Sequence, residues 1–167
     1  MFNRSLSLAV AILLTTGAAA FGDPEADAIT SSLACEYMKG LATTAKNSTF
    51  DAQQRAAGNG DTAGTMYSIY SGPNGQAALT AIQNGDTLYN EAVLQQYYAN
   101  GSYAEGYAKF QEAESDFFNE SFLSAIEEFG EARDEYEFAK VDYDWAKPKF
   151  DEAYDAYDDA MAIMMSP

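Results

Sequence analysis

From Phe122 onward, every seventh residue is large and apolar: Phe122, Phe129, Tyr136, Tyr143, Phe150, Tyr157 and Met164. Three residues after each of the first six comes an alanine: Ala125, Ala132, Ala139, Ala146, Ala153 and Ala160. A strand alternates its faces every two residues, so this spacing speaks for a helix. A recurrence of seven keeps one stripe against a partner helix, because about 3.5 residues per turn matches a slightly supercoiled α-helix. The fold class that follows is all-α: a helical bundle with a long C-terminal heptad-patterned, coiled-coil-like helix.

The flanks of the stripe are patterned too. Beside it run Arg133, Lys140 and Lys147 on one side and Glu128, Glu135 and Asp142 on the other, opposite charges in register for a parallel self-pair. Packing argues otherwise. A parallel pair stacks ring on ring and alanine on alanine, leaving voids in an interior that must be close-packed. A poorly packed aromatic layer loses about 1–3 kcal/mol. An exposed ion pair returns roughly 0–1 kcal/mol. The expectation is therefore an antiparallel partner within the same chain, with each ring facing an alanine; residues 103–118 or 24–46 are the candidates. Pro148 interrupts the hydrogen-bond ladder at a cost of about 3 kcal/mol. The repeat keeps its phase across it, which favours a kink over a loop. Phe138 and Trp145 lie off the stripe, with Val141 between them, and form a candidate partner patch.

The first twenty residues read as a secretory signal peptide: Arg4, an apolar run from Leu6 to Leu14, and Ala18 and Ala20 ahead of a small-residue cleavage site. The run is too short to span a bilayer. Residues 21–167 are then a single all-helical domain, with shorter helices and polar loops over 21–102 and the heptad-patterned region over 103–165. Within the first part, Asp23-Pro24 is a helix start, with a cap followed by proline at the first helical position. Ile29, Leu33, Tyr37 and Leu41 recur at four-residue steps and predict an amphipathic helix over 24–46. Residues 47–64, with Gly58-Asn59-Gly60-Asp61, read as a loop. "SGPNG" (71–75), "NGD" (84–86) and "NGS" (100–102) read as breaks, and "NES" (119–121) as a cap. Four or five helices result.

The expected location is periplasmic or extracellular. With Arg4 removed, eight basic residues face 26 acidic ones, a net charge of −18. That excludes nucleic acid as a partner, since nucleic-acid binding needs a basic footprint. No later stretch suits membrane insertion after signal cleavage. The chain has no histidine, which removes the usual general base and the commonest transition-metal ligand. The single cysteine, Cys35, permits no internal disulfide and reads as a buried small hydrophobe. Paired acids such as Glu127-Glu128 and Asp158-Asp159 lie on solvated helix faces, not in the desolvated cleft that acid catalysis needs. Neither "NGDTAG" nor "DYDWAKPKFDE" matches a twelve-residue calcium loop. The residues point to no catalytic site, no metal site and no cofactor; weak cation binding stays open.

One segment resembles a known family. In "YYANGSYAEGYAKFQEA" (97–113), Tyr97, Gly101, Tyr103, Phe110 and Ala113 fall at the spacings of the second half of a tetratricopeptide repeat. Gly106 sits where that family prefers alanine, and Asn90 and Leu94 depart from its first half. The resemblance implies helix hairpins that bind peptides. The function these observations favour is non-enzymatic: a secreted or periplasmic helical protein acting through protein–protein association or self-association, in a structural or adaptor role. The alternatives are a tetratricopeptide-like peptide-binding module and an acidic cation- or ligand-binding carrier.

Overall fold

A computed structural model describes residues 23–167; the signal-peptide reading of residues 1–20 lies outside them. Three helices account for 92% of the described residues and pack against each other as an all-α bundle, with no strand among those residues. Helix α1 spans Pro24–Ile69, α2 Gly75–Phe118 and α3 Phe122–Met165. The start of α1 is the expected one. Asp23 Oδ1 accepts a hydrogen bond from the Glu25 N–H at 3.1 Å, satisfying one of the free donors of the first turn.

Three helices replace the expected four or five. Residues 47–64 belong to α1, and 84–86 and 100–102 belong to α2. The tetratricopeptide-like segment 97–113 also lies inside α2, so the hairpins implied there do not form. By contrast α3 is one helix that continues through Pro148, without the loop that the phase of the repeat argued against. Two of the glycines that read as loop signals, Gly60 and Gly85, sit in helices against a ring, as Gly106 sits against backbone, whereas Gly58 and Gly101 have open space where a Cβ would lie. A Cβ on Gly85 would come within 2.6 Å of the Tyr157 ring, one on Gly60 within 3.1 Å of it, and one on Gly106 within 3.1 Å of the Ala132 carbonyl oxygen. Each of these three costs its helix about 1 kcal/mol relative to alanine and lets a ring or backbone approach that alanine would hold off.

The true break between α2 and α3 is a helix cap. Ser121 N–H donates to the Asp116 carbonyl and Glu120 N–H to the Phe117 carbonyl, at 2.9 and 3.1 Å. Glu120 has φ of 60°. This is the paired-bond cap with a left-handed residue that glycine usually fills.

The helices contribute to two compact units, one of residues up to Thr43 with Asn100–Ala139, the other of Thr44–Ala99 with Lys140–Pro167. In the first unit α2 runs antiparallel to α3, as the expectation for 103–118 required. The rings, however, meet rings. Tyr103 meets Tyr136, Phe110 meets Phe129 and Phe117 meets Phe122, edge to face with centroids 5.3 to 5.5 Å apart. That geometry sets the positive edge of one ring on the negative face of the other. The room for two rings comes from α1, whose buried residues in this core are Cys35 and Ala42. The second unit repeats the scheme: Tyr89 meets Phe150 at 5.3 Å, and α1 supplies Ala52, Ala56 and Ala63. Small residues thus face the rings, but they come from the third helix. In this unit α1 runs parallel to α3, since Thr49 Oγ1 donates to the Tyr143 carbonyl and Asn59 Nδ2 to the Tyr154 carbonyl.

The amphipathic reading of α1 needs correcting. Ile29, Leu33 and Tyr37 are exposed, whereas Ala28, Cys35, Ala42, Ala56 and Ala63 are buried. A four-residue step overshoots the helical turn by about 40°, so a stripe of bulky residues at that step drifts off a core that a seven-residue column stays on.

Candidate functional site

Phe129, Tyr136, Tyr143, Phe150 and Tyr157 and the alanines Ala125, Ala132, Ala139, Ala146, Ala153 and Ala160 are all buried. Phe122, at the start of α3, is half-buried. All but Phe122 are interior packing and offer no surface. Phe138 and Trp145 lie outside the core, 59% and 45% exposed, with Val141 at 58%. Phe138 belongs to the first unit, and Val141 and Trp145 to the second. The ammonium of Lys149 stands 5.9 Å from the Trp145 ring centroid, and Lys149 also reaches Glu91 at 3.7 Å.

A second surface feature was not read from the sequence. In the first unit, α1 and α2 leave a groove of about 250 Å³ lined by Ile29, Leu33, Phe117, Phe118, Glu36 and Glu114, among others. Phe118 is 81% exposed. The four-residue stripe was its signal: read as a buried face, it is in fact an apolar surface.

Three buried groups hold their protons more tightly than usual. Burial pushes the Cys35 thiol up to about 12, so at neutral pH it is neither a thiolate nucleophile nor a ready metal ligand. Tyr157 donates to Asp86 Oδ1 at 2.8 Å. Burial first, then that bond, raises its pKa far above the usual tyrosine range. Tyr136 is raised likewise by burial, and its hydroxyl has no hydrogen-bond partner. Among the described residues no three acidic or cysteine side chains gather in a metal-binding group, and no helix is long and apolar enough to cross a membrane. No protein-family model, no curated protein and no solved structure matches this chain.

Proposed function

We propose that this is a non-enzymatic helical protein that works by associating with other proteins, in a structural or adaptor role, after export to the periplasm or the extracellular space. The observation that supports it is the exposure of Phe138, Val141 and Trp145 along α3. Covering the half-exposed remainder of such side chains is worth about 1 kcal/mol each, and aromatic residues are enriched among those that dominate interface energies. The proton-holding state of Cys35 and Tyr157 also suits a binding role better than acid–base or nucleophilic work. Export is supported by the sequence of residues 1–20; N-terminal sequencing of the native protein should begin at Phe21.

The decisive experiment places a photoreactive phenylalanine analogue at position 145 and irradiates the cells of origin. A discrete crosslinked species is expected, absent when the analogue replaces exposed Glu137 instead. A chain that gives no adduct from position 145 removes the basis of this reading. Sedimentation across a concentration series tells self-association from a different partner.

A further inference from the structure

The groove on the first unit carries a more specific inference, which rests on the association reading. Its apolar lining, Ile29 and Leu33 from α1 with Phe117 and Phe118 from α2, is flanked by one carboxylate on each helix, Glu36 and Glu114. Neither Glu36 nor Glu114 takes part in an ion pair or side-chain hydrogen bond among the described residues, so both charges are open to a ligand. Apolar side chains between two unpaired negative charges call for an occupant that is apolar on one side and positive at its edges.

We propose that this groove binds a short cationic amphipathic helix of a partner protein, with aliphatic side chains between Leu33 and Phe118 and lysine or arginine heads at Glu36 and Glu114. The occupant's chemistry follows from charge. A second copy of this chain is a poor fit, because it brings the same acidic excess and its cations are already engaged, Lys46 among them. Arg55, Lys109, Arg133, Lys140, Lys147 and Lys149 are all in ion pairs. Lys39 lies over the Phe110 and Tyr107 rings, 4.5 and 5.3 Å from their centroids. Binding of an amphipathic helix by an apolar groove is an established recognition mode, with anchors at helical spacing.

The test uses the full mature chain and a fluorescent synthetic peptide of leucine and lysine at helical spacing, with a leucine–glutamate peptide as control. Fluorescence anisotropy at physiological salt should show saturable binding of the lysine peptide alone. The E36Q/E114Q double variant should weaken it about tenfold, the loss of two partly exposed ion pairs. Phe118→Ser should weaken it further; that side chain is 81% exposed, so its loss leaves the fold intact, which circular dichroism checks. Trp145→Ala should leave affinity unchanged. Absence of saturable binding overturns the proposal. So does binding indifferent to E36Q/E114Q, which would be attraction to net charge, or binding lost in Trp145→Ala, which would place the peptide on α3. A dimer in sedimentation that Phe118→Ser dissolves would assign the groove to a second copy and overturn it too. Peptide binding without a crosslink from position 145 defeats only the α3 reading; a crosslink without peptide binding defeats only the groove.

Discussion

Tyr136 and Tyr157 stand at the same position of the seven-residue repeat on α3, one in each compact unit, and both are buried. Their surroundings differ. Tyr157 has glycines on two helices against its ring and a carboxylate on its hydroxyl. Tyr136 has one glycine, Gly106, an edge-to-face ring from Tyr103, and a hydroxyl with no partner. One repeat position can thus end in a satisfied polar contact or an unsatisfied one. The outcome depends on whether a neighbouring helix offers an acceptor at the ring's tip. Periodicity fixes the ring's direction and says nothing about that acceptor.

Changes to the two cores should differ in step with these surroundings. The largest effect belongs to the rings themselves. Phe129→Ala and Phe150→Ala should each cost about 3–5 kcal/mol in urea unfolding, and a loss in one unit well under half that in the other would show that the two cores are not equivalent. Next comes Gly85→Ala. The added methyl meets a ring already held from Gly60, so overpacking of about 1–3 kcal/mol should outweigh the gain in helix propensity. Gly130→Ala, with nothing within 4 Å of the new methyl, should instead stabilise by up to about 1 kcal/mol. If both glycines respond alike, the close-packing account of the helical glycines fails.

Alkali should then single out the first unit, whose core holds Cys35 beside Tyr136. An unfolded thiol ionises near pH 8.5, the folded one only at about 12. The raised folded value means that stability is level below about pH 8.5 and falls as pH climbs toward 12. About 1 kcal/mol should be gone by roughly pH 9.5. Cys35→Ala should flatten this window and leave only the decline above about pH 10 that the tyrosines cause. The smallest contrast is between the two hydroxyls. Tyr157→Phe gives up a hydrogen bond and should cost about 0.5–1.5 kcal/mol, whereas Tyr136→Phe removes an unpaired buried hydroxyl and should be neutral or stabilising. Thermal melts of the two variants give the sign directly.

The all-α class and the start of α1 at Pro24 were legible because each rests on local chemistry: a helical period, a cap and a proline at the first helical position. The length of α1 and α2 was not. Asn59-Gly60 and Asn84-Gly85 carry a strong loop signal, and only the ring of Tyr157, far along the chain, turns it into a helix contact. The partner of each ring was missed for a related reason. Pairwise reasoning set rings against alanines across two helices, but a third helix bringing Cys35, Ala42 and Ala56 frees the other two to set ring on ring. The exposed groove was hidden because Ile29, Leu33 and Tyr37 follow a period close enough to the helical one to resemble a core face. Phe138 and Trp145 could be singled out because they break the repeat.

Trp145 is the only tryptophan in the chain, and it is half-exposed while the interior is furnished with tyrosine and phenylalanine. Its emission will therefore say little about unfolding and much about company. Denaturation should move the tryptophan spectrum only modestly to the red while near-ultraviolet tyrosine dichroism collapses. A blue shift under native conditions would mark the moment at which something settles on α3.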